Sequence, residues 1–404
     1  MGSIDLAIVG GGLLGTAVAA LASSAGLGVL VTRLRDHAVP RADTLRNQGW
    51  LQSGIMYPVS QFNGRDQYER FATQTFFAGR QMLRQCGIPI HEGNGILGVR
   101  DRARTDDLVD KSALLRFSKD EFRRLETDEV VTKLGELADD GMSYFHIPDV
   151  PFDEAGVLTY LREEAKRCGT EFIQVDEPVT LQRSNEIVRI CCGEEIFESP
   201  LTLVTAGSGS FDLVDQVGGK LEGELRRTPL LVSDRPGCLP PGVFVDLERG
   251  FSAVRHPCAG LADGAAVVGT KARSQPAPRV AADERHIPLE EEQEFVKCLP
   301  PVLASRLLPA RYTAGYEVIP RRVGGPTAYE PWIEDCGSVV FASPGRATVA
   351  LMAANLTLAR LLEKRSLTKP KSFNLPSTGR INWAEPITMH FSPDYDFDDS
   401  GRTK

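Results

Sequence analysis

The chain lacks most of what marks a secreted, membrane-spanning or nucleic-acid-binding protein. Its eight cysteines, Cys86, Cys168, Cys191, Cys192, Cys238, Cys258, Cys298 and Cys336, are scattered, with no C-x-x-C pair and no His-Cys cluster at ligand spacing. That argues against a disulfide framework or a zinc site and for free, largely buried thiols. Cys191 and Cys192 fall side by side on a predicted strand, so their side chains point to opposite faces. No run approaches the ~20 apolar residues that a membrane span needs. Positive charge is in deficit: 46 Lys and Arg against 54 Asp and Glu leave a formal net charge of −8. Nucleic acids and anionic membranes require a basic surface, so neither is the expected partner. The apolar start reads as a strand and helix rather than a cleavable signal with a basic head, and the expectation is a cytoplasmic protein acting on a small molecule. With 42% hydrophobic and 25% charged residues over 404 positions, the chain suits two domains or one large α/β unit.

What is present begins at the first residues. Ile4-Asp5-Leu6-Ala7-Ile8-Val9 runs into Gly10-Gly11-Gly12-Leu13-Leu14-Gly15 and then an alanine-rich helix, Thr16 to Ala25, followed by a second strand at Val29-Leu30-Val31. A buried strand, a G-x-G-x-x-G turn and a helix form the context in which a pyrophosphate sits on free amides at the positive helix end. Gly10 permits the tight turn, Gly12 lets backbone approach the phosphates, and Gly15 lets the helix pack closely on the strand. The acidic residue that normally holds the adenosine ribose is missing, because the tip of the second strand reads Thr32-Arg33-Leu34-Arg35-Asp36. Arg33 could bind a 2′-phosphate and indicate NADP, stack on adenine while Thr32 or backbone holds the ribose, or be a plain solvated arginine. This strand alone does not choose between NADP and FAD.

Further along, periodicity predicts a helix from Gln67 to Cys86, a strand pair over Ile88–Val99 and a charged, mostly helical stretch over Ser118–Ala138. Asp153 is placed to cap a helix, Glu154–Cys168. Strands follow at Phe172–Pro178, Ile187–Cys192, Glu195–Ser199 and Leu201–Val204, the last emptying into Thr205-Ala206-Gly207, the kind of strand end where open α/β sheets bind ligands. Four short strands between Pro229 and Lys271 predict a second, antiparallel sheet. A helix over Glu294–Leu308 comes next. A final buried strand, Ser338–Ala342, breaks at Ser343-Pro344-Gly345-Arg346 into a long helix. The expected architecture is α/β: a discontinuous Rossmann-like domain (1–87, 145–220, 312–370), a substrate domain on a largely antiparallel sheet (88–144, 221–311) and a C-terminal extension (371–404).

With these elements placed, the chain resembles the FAD-dependent oxidoreductases of the D-amino-acid oxidase superfamily over nearly its whole length. The resemblance is carried by the opening glycine turn, the loop Thr44-Leu45-Arg46-Asn47-Gln48-Gly49-Trp50-Leu51-Gln52-Ser53-Gly54-Ile55-Met56-Tyr57, the Val204-Thr205-Ala206-Gly207 strand end and Ala342-Ser343-Pro344-Gly345. The loop and the S-P-G turn look most like the L-2-hydroxyglutarate oxidase and glycerol-3-phosphate dehydrogenase branch. The resemblance implies FAD, with contacts from Gly10, Gly12, Leu13, Leu14, Gly15, Thr32, Arg33, Arg46, Asn47, Gln48, Gly49, Val179, Ala206, Gly207, Pro344, Gly345, Arg346, Ala347 and Thr348. The chain departs from that branch in two places. Gln52 stands where a histidine is common and cannot act as a base near neutral pH. Gly315-Tyr316-Glu317-Val318 replaces a G-x-R-P segment suited to a substrate carboxylate. The attachment cysteine and histidine of relatives are also missing, which implies non-covalent FAD.

The implied reaction is hydride transfer from a C–N or C–OH carbon of a small amino-acid-like or hydroxy-acid-like metabolite to flavin N5, with O2 or a carrier as acceptor. The Pro344–Arg346 turn and its helix dipole suit the charge that develops on the ring. Glu317 is a candidate to receive a proton or pair with an ammonium group. Lys271 is a candidate to favour oxygen reduction by its charge, and His256 is a candidate acid or base. Tyr57 and Tyr316 either line the pocket or pack. The alternatives are a hydroxy-acid dehydrogenase serving a quinone or carrier, and a flavin-binding subunit without turnover.

Overall fold

The computed structural model describes residues 4–35, 48–55, 76–81, 83–84, 86–88, 90, 95–100, 105–106, 108–109, 117–184, 187–256, 264–270, 275–277, 289–320, 331–344 and 347–364. The chain opens with β1 (Leu6–Val9), α1 (Leu13–Ser24) and β2 (Val29–Leu34), then β3 (Trp50–Leu51), β4 (Gly95–Val99) and β5 (Arg123–Arg124). Next come α2 (Thr127–Leu134), β6 (Ser143–Ile147), β7 (Val150–Pro151), α3 (Glu154–Arg167) and β8 (Glu171–Val175). The middle holds β9 (Thr180–Ser184), β10 (Ile187–Cys192), β11 (Glu195–Ser199), β12 (Thr202–Val204) and α4 (Ser210–Gln216). There follow β13 (Gly223–Ser233), β14 (Val243–Asp246), β15 (Phe251–His256), β16 (Ala265–Thr270) and β17 (Gln275–Ala277). The described part closes with α5 (Leu289–Lys297), α6 (Pro301–Leu307), β18 (Arg311–Pro320), β19 (Trp332–Cys336), β20 (Val339–Ser343) and α7 (Ala347–Lys364).

Two sheets carry the architecture. The first runs β19-β20-β12-β1-β2-β8, with every pairing parallel except that of β19. Its central strands are buried throughout, as a sheet covered on both faces requires. α1 is the packing hub on one face: Ala17, Val18, Leu21 and Ala22 are buried in a cluster with Val157 and Leu161 of α3 and Ala350, Ala354 and Leu358 of α7. The second sheet runs β17-β13-β16-β15-β14-β4-β6-β5, with β18 paired to the other edge of β13. One of its faces packs Phe244, Phe251 and Val268 on Phe295 of α5, Leu303 of α6 and Leu299 between them. Its other face packs Leu97, Phe145, Val243 and Val254 on Trp50 and Ile55.

The α3 boundaries and cap follow the sequence closely, with the Asp153 side chain accepting from the Gly156 N–H at 3.0 Å. Other expectations need correction. The helix foreseen over Glu294–Leu308 is two helices, α5 and α6, because Pro300 and Pro301 lack the N–H needed to continue a helix and Pro301 instead starts α6. Within Ser118–Ala138 only α2 is α-helical, and Arg123–Arg124 is an edge strand. Residues 311–320 pair along their whole length with β13, and 143–147 pair with β4, so both segments belong to the antiparallel sheet. The predicted Gln67–Cys86 helix is described at residues 76–81 and 83–84, where it is helical, and at Cys86, which already lies in a turn. Every cysteine among the described residues is a free thiol, and burial pushes Cys86 up to about 12 and Cys192 and Cys336 to about 11.

Candidate active site

The glycine turn is built by three segments meeting. Gly10 has φ of 119°, closed to side chains with a Cβ, and an added Cβ would lie 2.8 Å from the Ala206 amide nitrogen. The Thr205 N–H donates to the Val9 carbonyl at 2.8 Å, and its Oγ1 donates to the Gly10 carbonyl at 2.9 Å. A Cβ on Gly15 would overlap the Gly10 carbonyl oxygen and stand 2.5 Å from Thr205 Oγ1, so the helix approach tolerates only glycine there. Arg162 of α3 donates to the Gly11 carbonyl at 3.4 Å. Thr205 belongs to the strand-end motif that the sequence marks, whereas Arg162 carries no mark. The hydroxyl at the end of a buried strand was the visible signal for the first, and a mid-helix arginine carries none for the second.

The residues here fit a dinucleotide cofactor. No side chain caps the start of α1, and no acidic residue stands in its first turn, leaving that helix end suited to a phosphate. Leu13 and Leu14 are buried in the hub. Thr32 Oγ1, at the tip of β2, is buried without a hydrogen-bond partner among the described residues, as a group awaiting a ligand would be. Arg33 lies along the turn, where a Cβ on Gly11 would come 2.9 Å from its Cβ, and it donates to Gln174 at 3.2 Å. Val179 is buried between β8 and β9 beside Val9 and Val204, and Ala206 leads into a short turn, Gly207–Gly209, that lies against β18. Pro344 is half-buried after β20. Arg46, Asn47, Gly345, Arg346, Lys271 and Tyr57 lie outside the described residues, as do the side chains of Ala347 and Thr348.

The segment 48–55 spans the two sheets. Gln48 Nε2 donates to the Ser252 carbonyl at 3.0 Å, and Ser252 Oγ donates to Gln48 Oε1 at 2.9 Å, which ties the side chain to β15. Gly49, at φ 61°, presses on a pair formed by His256 Nε2 and Glu154 Oε2 at 2.5 Å. Gln52 is half-buried beyond β3. Ser53 donates through both its N–H, at 3.0 Å, and its hydroxyl to Oδ1 of the fully buried Asp149, whose Oδ2 has no partner among the described residues.

Strand register separates the catalytic candidates. Ser252, Gly269, Leu230 and Thr313 lie in one row across β15, β16, β13 and β18. His256 is four residues beyond Ser252, and Glu317 is four beyond Thr313 on a strand running the other way. The two therefore sit on the same face on the order of 25 Å apart, too far to serve one reacting carbon. The His256 end is covered by Gly49 and Trp50. The Glu317 end carries a half-buried polar group, Thr228 and Arg226 of β13 and Glu317 of β18, and the Gly207–Gly209 turn adjoins β18. Glu317 stands directly opposite Arg226 in the strand register, and the Arg226 guanidinium pairs with Glu224. Tyr316 is core, 7% exposed beside Val318.

Burial raises the Asp149 carboxyl from 3.8 to about 7. Its folded value lies above the unfolded one, so the folded state holds the extra proton, and stability declines as pH rises between those values. Relative to Asp149→Asn, which cannot titrate, the wild type should lose about 3 kcal/mol of stability between about pH 5 and about pH 8. Denaturant unfolding of both proteins at the two pH values checks this, and an unchanged difference between them would contradict it.

A largely parallel sheet with a glycine turn at its ligand edge, joined through a shared apolar cluster to a largely antiparallel sheet, is the architecture of a dinucleotide-binding protein. The chain belongs to the FAD dependent oxidoreductase family, whose model matches residues 5–358, and it is accordingly an FAD-dependent oxidoreductase. Among solved structures it is similar to an iminodiacetate oxidase from Chelativorans, with 16% identity, TM-score 0.66 and coverage of 89% of this chain and 95% of that one. It is similar to NikD, an amino acid oxidase of nikkomycin biosynthesis, with 15% identity, TM-score 0.69 and coverage of 91% and 96%. It is also similar to an L-proline dehydrogenase from P. horikoshii, with 14% identity, TM-score 0.68 and coverage of 91% and 95%. At these identities the likeness is one of fold. No curated protein sequence matches significantly.

Proposed function

We propose that the protein oxidises a C–N bond of a small amino-acid-like molecule, using non-covalently held FAD. The observation that carries this reading is the cross-strand juxtaposition of Arg226 and Glu317, both half-buried, on β13 and β18, the latter strand adjoined by the turn that follows β12. Cross-strand neighbours present side chains about 5 Å apart on one face. An anionic Glu317 suits a substrate ammonium and can take its proton, while the Arg226 guanidinium suits a carboxylate. Bound FAD supplies the two-electron acceptor, and these residues orient the substrate toward it. The names of the similar structures, an iminodiacetate oxidase, an amino acid oxidase and a proline dehydrogenase, agree with an amine-bearing substrate.

The loop and S-P-G motifs favour a second reading, a hydroxy-acid dehydrogenase of the L-2-hydroxyglutarate oxidase and glycerol-3-phosphate dehydrogenase branch. Paired amino and hydroxy acids of the same carbon skeleton discriminate, assayed with oxygen consumption in parallel with dye reduction to identify the acceptor. For the best amino acid, Arg226→Gln should raise KM about tenfold to a hundredfold with a smaller effect on kcat, because a charged hydrogen bond to a substrate carboxylate is lost. Turnover of the hydroxy acids alone, or an unchanged KM in the variant, would count against the proposal.

A further inference from the structure

Glu154 is the first residue of α3 and its side chain is 4% exposed, yet only one of its oxygens is engaged: Oε2 meets His256 Nε2 at 2.5 Å, while Oε1 is buried with no partner among the described residues. A carboxyl in such a place is costly, and burial pushes its titration upward while the imidazole partly offsets that effect. The pair joins the two layers, since α3 packs on the nucleotide-binding sheet and His256 ends β15 of the antiparallel one. Gly49 rests directly on it. A Cβ at residue 49 would overlap the imidazole and stand 2.6 Å from Glu154 Oε2. One residue earlier, the Gln48 amide is tied to Ser252 of the same strand, and the Gly49 carbonyl accepts from the Phe152 N–H at 3.0 Å. Residues 48–49 are thus fixed on three sides at the seam, and the same helix reaches the glycine turn through Arg162 and Gly11, two turns further on.

We propose that Glu154 and His256 are positioning residues, a buried hydrogen-bonded pair that sets residues 48–49 where they border the cofactor. The role rests on the assignment of Gln48 and Gly49 as FAD contacts. His256 then acts through the loop rather than on the substrate, consistent with its distance from Glu317 along the sheet face.

The test uses purified full-length protein, with FAD affinity measured by quenching of flavin fluorescence and the bound flavin's visible band recorded alongside. Glu154→Ala and His256→Ala should each weaken FAD binding about tenfold to a hundredfold, the range for loss of a hydrogen bond to a charged group, and blur the fine structure of the band. Glu154→Gln keeps a hydrogen bond to the imidazole and should restore both affinity and band shape to within about threefold. Circular dichroism of each variant identifies any that fail to fold, and Gly49→Ala, which displaces the pair without removing either member, should reproduce the alanine effects. Wild-type affinity and spectrum in folded alanine variants would overturn the proposal, as would Glu154→Gln behaving like Glu154→Ala. If wild-type protein bound no FAD, the assignment of residues 48–49 as cofactor contacts would fail instead.

Discussion

Glu317→Gln should lower kcat by about a hundredfold to ten-thousandfold, the range for losing a positioned acid or base, while FAD content and thermal stability stay close to wild type. The amide keeps the size of the carboxylate but neither carries its charge nor takes a proton at neutral pH. It therefore separates chemistry from packing. Glu317 is half-buried on β18 and faces Arg226 across the strand pair, and the substitution keeps its size, so packing around it is preserved. Steady-state kinetics together with flavin content per chain provide the check. Unchanged kcat would remove Glu317 from the mechanism. A parallel loss of FAD would show instead that the residue supports the fold or the cofactor.

Gly15→Ala should abolish FAD retention and destabilise the protein by about 1–3 kcal/mol, the usual consequence of forcing a methyl group into a filled space. The new Cβ would meet the Gly10 carbonyl oxygen, a backbone atom, and Thr205 Oγ1, which is held by its hydrogen bond to that same oxygen. Relief requires α1 to move off β1, and α1 is the hub on which α3 and α7 pack. The glycine turn would lose its approach to the phosphates in the same movement. Urea unfolding with and without added FAD measures both effects. Wild-type stability with normal FAD stabilisation in this variant would contradict the described geometry.

Much of the nucleotide-binding layer was legible because its signals are local. The glycine turn, the Asp153 cap and the apolar runs of β1, β12 and β20 each depend on a few consecutive residues. The sheet to which β18 belongs is not written in its own residues, which are buried in runs and not alternately. Membership of the antiparallel sheet depends on pairing with β13, almost ninety residues earlier, which no local pattern encodes. The split of α5 from α6 is legible in the sequence, since two consecutive prolines stand at the break. The site divides in the same way. Glu317 and His256 were visible as chemical types, but only register shows that they lie at opposite ends of one face. Glu154, Asp149 and Arg226 gave no sign, because a glutamate opening a helix, an aspartate in a turn and one arginine of a doublet are ordinary until their burial or cross-strand partner is known.

Anaerobic mixing of the purified holoprotein with an amino acid and with the hydroxy acid of the same skeleton tests the central claim most directly, followed by loss of the oxidised flavin's visible band. The amino compound should bleach the wild-type band within seconds and the Glu317→Gln band far more slowly, and the hydroxy compound should leave both unchanged. Bleaching by hydroxy compounds alone, or by neither class across a broad panel, would contradict the account.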